Sequence, residues 1–219
     1  MDLEAVEAYM VQKMGSDSSG HDYFHALRVR NTALSIAKHE NSADIEVVVC
    51  AALLHDVPDP KVCKSIPETK LECKQVLARC GMDEKRIEHV MHIIETLGFK
   101  GNIAKREMDT LEGKIVQDAD RLDAIGAIGV ARAFAFGGAN ERLMWDPSIA
   151  PQTYKNEAEY RSAKSSTLNH FDEKLLLIKD LMQTESGKKV AELRHKYLAD
   201  FKQKFIDEWY GNDIKEVLE

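Results

Sequence analysis

The sequence predicts an all-α protein, and three observations carry that prediction. Apolar residues recur at helical spacing along most of the chain, no run alternates with period two for long enough to demand a strand, and cap or stop residues separate the periodic runs. With 219 residues, 44% hydrophobic and 31% charged, the composition is globular. The expected organisation is one domain over 1–219, with a core over about 20–136 and a loop and C-terminal helices, 137–210, packed on it. A chain of this length buries about 70% of its unfolded surface, enough for a core without covalent staples.

Each element has its own signal. The first helix runs to Met14, with Leu3, Val6, Met10 and Met14 apolar and Glu4 and Glu7 charged. It lacks the basic start and continuous apolar run of a secretory signal. Gly15 and the Ser/Asp/Gly stretch 16–20 are turn chemistry. A second helix starts near Asp22 and runs to about Glu40, with Leu27, Leu34 and Ala37 on one side. Asp44 caps a third, whose inner face includes Val47, Val48, Ala51 and Leu54. Ser65, Pro67 and Glu68 start a fourth, which Gly81 stops after Cys80. Asp83 to Leu97 is the fifth, ended by Gly98. A polar segment, Lys100 to Thr110, leads to the run Ile115–Asp123. Residues 124–136, rich in Ala, Ile, Gly and Phe, read as a buried helix whose small residues permit close packing. Two glycines, two prolines and Trp145 make 137–153 a long loop, of the kind that often forms a lid. Two amphipathic helices follow, about 157–183 and 187–210, split at Thr184-Glu185-Ser186-Gly187.

The net charge of −7 argues against a general nucleic-acid binder, because a phosphate polymer needs a basic face. It leaves room for a small anion held by local cations. Cys50, Cys63, Cys73 and Cys80 form no Cys-x-x-Cys, so reduced thiols in a cytoplasmic protein are expected. No apolar stretch approaches the ~18 residues of a membrane span.

Chemistry concentrates where the third helix ends, at Leu54-His55-Asp56-Val57-Pro58-Asp59. Pro58 bars the helix from running on smoothly, which leaves an imidazole and a carboxylate at the end of a buried element. Burying either unpaired is costly, and one metal ion satisfies both. His25 and Asp120, each on its own helical stretch, complete a mixed nitrogen/oxygen shell with room for water. Such a shell suits one divalent ion (Mn, Ni, Co, Fe or Mg, with Mn or Ni favoured) better than a closed thiolate site does. Asp59, one turn beyond Asp56, can orient a water or protonate a leaving oxygen. Arg28, on the face of His25, and Lys61 are cations able to neutralise phosphate. Asp123 shares a face with Asp120 and reads as a packing or ligand-supporting acid.

These residues resemble a family. His25, His55-Asp56 and Ala119-Asp120 look like the H…HD…D pattern of the HD-domain metal-dependent phosphohydrolases. The strings His21-Asp22-x-x-His25-x-x-Arg28-Val29, Ala52-Leu53-Leu54-His55-Asp56, Val116 to Gly129 and His170-Phe171-x-x-Lys174-Leu175-Leu176 resemble the YedJ/YpgQ-like subgroup, over about residues 20–205. The resemblance implies an HD-domain helical bundle with a C-terminal helical extension and one metal held by His25, His55, Asp56 and Asp120. Asp118 rivals Asp120, and the family's habit of placing the ligand after Ala favours Asp120. Asp59 matches an acidic position that works on the water or leaving group in related nucleotidases. His92 and Lys174, on matching strings, join Arg28 and Lys61 as expected substrate contacts. Relatives commonly carry His-Ser-Phe where this chain has Leu97-Gly98-Phe99, so one imidazole is missing here.

The implied activity is phosphoester or phosphoanhydride hydrolysis on a small phosphorylated substrate, most readily a nucleotide, as in nucleoside triphosphate pyrophosphohydrolases. A di-iron oxygenase of related fold would need further ligands, for which His89 and His92 are the candidates. A nucleotide-binding sensor is the non-enzymatic alternative, and it has no chemical need for an open metal position.

Overall fold

A computed structural model describes residues 1–15, 22–97, 107–153 and 165–218. Among them every regular element is helical: α1 (Leu3–Met14), α2 (Tyr23–Ala37), α3 (Ile45–Leu54), α4 (Ile66–Arg79), α5 (Glu84–Leu97), α6 (Leu111–Asp123), α7 (Gly126–Ala139), α8 (Asn169–Glu173), a 3₁₀ segment (Leu175–Leu181), α9 (Glu185–Tyr210) and α10 (Asn212–Leu218). His21, the loop 16–20, Gly98-Phe99, residues 100–106 and the expected helix start at 157 lie outside the described residues.

Capping explains where the early helices begin. The Asp22 carboxylate accepts from the His25 amide at 3.1 Å, and Asp44 accepts from Glu46 and Val47 at 3.1 and 3.3 Å. Thr110 caps α6 through the Gly113 amide at 3.2 Å. These oxygens satisfy amides that the first helical turn leaves without partners. Asp22 matters most for the site, because the helix it starts carries His25 in its first turn.

The core centres on α3, in which every residue from Val47 to Leu54 is buried. This helix packs against α1, α2, α5 and α6 and is apolar on all sides, as a helix surrounded by others must be. Fully buried Leu53 and Leu54 each contribute ~1.5–3 kcal/mol of burial free energy. That burial fixes where the α3 C-terminus, and therefore His55, sits. No single helix among the described residues is long and apolar enough to cross a membrane.

The structure differs from expectation in the C-terminal half. The segment read as a buried helix, 124–136, forms α7 but is buried on one side only, with Ile128 exposed. Its small residues serve close approach: a Cβ at Gly137 would collide with the Thr167 hydroxyl. The long loop therefore begins after Ala139, and Trp145 within it packs edge-on against Phe205, Trp209 and Tyr210 of α9. Residues 165–183 are not one amphipathic helix. The backbone leaves helical geometry at Lys174 (φ −145°, ψ −55°) and continues as 3₁₀. Leu175 and Ile178, three apart, are its buried residues, as the three-residue repeat of a 3₁₀ helix requires. α9 begins two residues before the expected 187, with Thr184 as its cap.

Candidate metal centre

Three helices deliver the candidate ligands. α2 presents His25, the C-terminus of α3 presents His55 and the adjacent Asp56, and the last turns of α6 present Asp120. The donor atoms of His25, His55 and Asp56 all lie within 4.8 Å of one another. The two imidazole Nε2 atoms are 3.3 Å apart, and Asp56 Oδ2 lies 3.5 and 3.4 Å from them. Asp120 Oδ1 lies 3.3 Å from His25 Nε2 and 3.8 Å from His55 Nε2. Neighbouring ligands ~2.1 Å from one ion stand ~3.0 Å apart in octahedral and ~3.4 Å apart in tetrahedral geometry, so these separations match a shared cation.

Proton accounting leads to the same place. His55 Nδ1 lies 2.8 Å from the Ala52 carbonyl oxygen, which can only accept, so Nδ1 carries a proton. His25 Nδ1 lies 2.7 Å from Asp123 Oδ2. With Nδ1 as the protonated nitrogen, each ring in its neutral form turns a lone pair toward the other and toward two carboxylates. Four acceptors with a combined charge of −2 then face one point, which a divalent cation balances.

The pKa shifts show the same demand for positive charge. Burial pushes the His55 imidazole down, but the charge and hydrogen bond of Asp56 and the charge of Asp120 outweigh it, and the value rises to about 10. His25 is likewise lowered by burial and raised overall by its bonds to Asp120 and Asp123. Burial opposes ionisation of Asp120, yet the two imidazoles hold its carboxyl below the usual range.

Asp118 and Asp120, two residues apart on α6, point to nearly opposite sides of the helix. Asp118 is fully buried and accepts from the Gln183 amide (3.0 Å to each oxygen), the Thr184 amide (2.7 Å) and the Thr184 hydroxyl (2.8 Å). Asp120 is the carboxylate that faces the imidazoles, with its side chain 35% exposed.

The remaining expected residues are placed as follows. Arg28 Nε and Nη2 donate to the two oxygens of Asp123 at 2.8 and 3.0 Å. Asp59 Oδ1 accepts from the Lys61 amide at 2.8 Å, closing a tight turn, and the Lys61 side chain is exposed. His92, 44% exposed, lies 3.0 Å from both oxygens of Asp109, and His89 lies 3.7 Å from Glu112. Lys174 sits at the junction of α8 and the 3₁₀ segment, where it and Arg142 add to burial in pushing His170 down to about 3. Arg132 was not anticipated: its Nη1 donates to Asp123 Oδ2 at 2.8 Å. The available signal was its position as the single charged residue in 124–140.

Comparison with known proteins places this arrangement. Residues 22–125 match the model of the HD domain. The chain is 35% identical to the Bacillus subtilis protein YpgQ over 214 residues, 97% of this chain and 96% of that one. The crystal structure of YpgQ in complex with ADP superposes with a TM-score of 0.75 at 33% identity, covering 94% of this chain and 97% of YpgQ. A Bacillus thuringiensis HD-superfamily hydrolase gives a TM-score of 0.75 at 39% identity, with 95% and 96% covered. A Lactobacillus plantarum structure gives 0.80 at 34%, with 95% and 97% covered. A likeness that runs through the matched segment and on into the C-terminal helices shows that the chain belongs to the HD-domain hydrolase family, among its YpgQ-like members.

Proposed function

We propose that the protein is a divalent-metal-dependent phosphohydrolase acting on a nucleotide, with one ion held by His25, His55, Asp56 and Asp120. The observation that carries this reading is the convergence of two imidazoles and two carboxylates within metal-sharing distance. The presence of ADP in the YpgQ crystal structure supports a nucleotide as the ligand class. A bound divalent ion supplies a Lewis acid for a phosphoryl oxygen and lowers the pKa of water. Mixed imidazole and carboxylate donors favour Mn or Ni, with Co, Fe and Mg as further candidates.

The chain's own groups supply the rest. Asp59 carries or accepts a proton at the attacking water or the leaving oxygen, in addition to closing its turn. The Arg28 fork engages Asp123 along one edge, and its side chain is 33% exposed, which leaves the other edge for phosphate. Lys61 and Lys174 add positive charge, and His92 a hydrogen-bonding group, for the phosphate chain of the substrate. Four free thiols fit a reducing, cytoplasmic setting.

A panel of nucleoside mono-, di- and triphosphates with Mn, Ni, Co and Mg, read separately for pyrophosphate and orthophosphate, tests the activity. Pyrophosphate release from a triphosphate is the expected product, with His55→Ala and Asp56→Ala inactive and stripped of metal. Wild-type metal affinity in those two variants would refute the ligand assignment. Failure of every nucleotide to turn over with any of the four metals would refute the hydrolase reading.

A further inference from the structure

We propose that Asp123, clamped by Arg28 and Arg132, is the positioning residue that fixes the His25 tautomer and thereby sets the metal affinity of the centre. The inference rests on the metal-centre reading above and adds a residue that binds neither metal nor substrate.

The clamp joins three helices. Asp123, near the end of α6 and 4% exposed, receives Arg28 of α2 on both oxygens, at 2.8 and 3.0 Å. Arg132 of α7 reaches Oδ2 at 2.8 Å. Two guanidinium groups at hydrogen-bonding distance hold this buried group as a carboxylate. A carboxylate gripped by two guanidinium groups can only accept, so the 2.7 Å contact with His25 requires the proton to sit on His25 Nδ1. That leaves the Nε2 lone pair turned toward His55, Asp56 and Asp120. A free neutral histidine side chain prefers the opposite tautomer, in which Nε2 carries the proton and has no lone pair for a metal. The clamp reverses that preference, and a carboxylate partner also makes the ring a stronger donor. The other imidazole is fixed differently: His55 Nδ1 meets the neutral Ala52 carbonyl. The two histidines are therefore unequal, and His25 is the one whose donor strength depends on a charge outside the ligand set.

The competing role for Asp123 is purely architectural, a tie between α2, α6 and α7. Two measurements on the full chain separate the roles. Calorimetric titration of chelator-treated protein with Ni²⁺ and with Mn²⁺ should show Kd raised 10–100-fold in Asp123→Asn, the range typical of lost hydrogen-bond support to a metal ligand. Side-chain ¹⁵N NMR of metal-free wild type, above the pH at which His25 titrates, should show it protonated at Nδ1. Unchanged Kd in folded Asp123→Asn, with wild type binding metal, overturns this proposal alone. Absence of Ni²⁺ and Mn²⁺ binding by wild type overturns the metal-centre reading and this proposal with it. Should Asp123→Asn fail to fold, the wild-type spectrum decides: Nδ1–H supports the clamp and Nε2–H overturns it.

Discussion

Asp118→Ala separates the two acids of α6 most sharply, because the structure gives Asp118 only a stabilising part. The buried carboxylate takes the Gln183 amide, the Thr184 amide and the Thr184 hydroxyl. Truncation leaves the buried Thr184 amide and the half-buried Gln183 amide without acceptors, while the hydroxyl can turn elsewhere. The orphaned Thr184 donor costs ~1–3 kcal/mol, and the half-buried Gln183 amide adds less than that. Loss of a negative charge at the start of α9 adds ~0.3–1 kcal/mol through the helix dipole. Against a total stability of about 5–15 kcal/mol this is a large fraction. At ~2–4 °C per kcal/mol for a chain of this size, the melting temperature falls on the order of 10 °C. Urea unfolding followed by circular dichroism gives the free energy, and Ni²⁺ titration of the still-folded variant gives the affinity. We expect the first to drop and the second to hold. Asp120→Asn should do the reverse. A stability loss under ~1 kcal/mol, or a weakening of Ni²⁺ binding equal to that in Asp120→Asn, would refute the assignment of the two roles.

Other outcomes follow from single contacts. Asp59→Asn keeps the turn to the Lys61 amide but cannot act as a base, so kcat should fall ~10²-fold or more with melting temperature unchanged. Steady-state kinetics at wild-type speed would remove Asp59 from the chemistry. Gly187→Ala places a Cβ against the Asp118 carboxylate and 2.7 Å from the Thr184 hydroxyl, and should cost ~1–3 kcal/mol in urea unfolding. Gly138→Ala, with nothing within 4 Å, should be neutral or stabilising by ~1 kcal/mol. Trp145→Ala removes edge-on contacts to three rings of α9 and should lower stability by ~1–3 kcal/mol while KM stays constant. A raised KM without loss of stability would mark Trp145 as a substrate contact instead.

The helices up to Leu97 were legible because their signals are local: an Asp at a cap, a Gly at a stop and an apolar face at helical spacing. The candidate metal-centre residues were legible by type only as a set: a His-Asp pair alone is unremarkable, and His25 and Asp120 on other helices turn it into a candidate shell. The region 165–183 misled because its apolar residues keep helical spacing, while the backbone break at Lys174 leaves no mark in that spacing. Arg132 was missed for a related reason. Its partner Asp123 stands nine residues away across the turn into α7, at Gly126 with φ +75°, and no periodic rule links positions on two different helices. The choice between Asp118 and Asp120 was open from helix geometry alone, because knowing that they diverge does not say which side meets the imidazoles.

The family model ends at residue 125, but the bonds that hold α6 do not. Arg132 donates to the Asp123 side chain, Arg194 of α9 donates to the Leu122 carbonyl at 2.6 Å, Arg121 donates to the Leu181 carbonyl, and Gln183 and Thr184 enclose Asp118. A fragment cut to the matched segment would keep His25, His55, Asp56 and Asp120, yet lose every one of those partners. It would carry the recognisable motif without the means to hold it in shape. We expect the smallest segment that folds alone to be set by who satisfies α6, and to reach into α9.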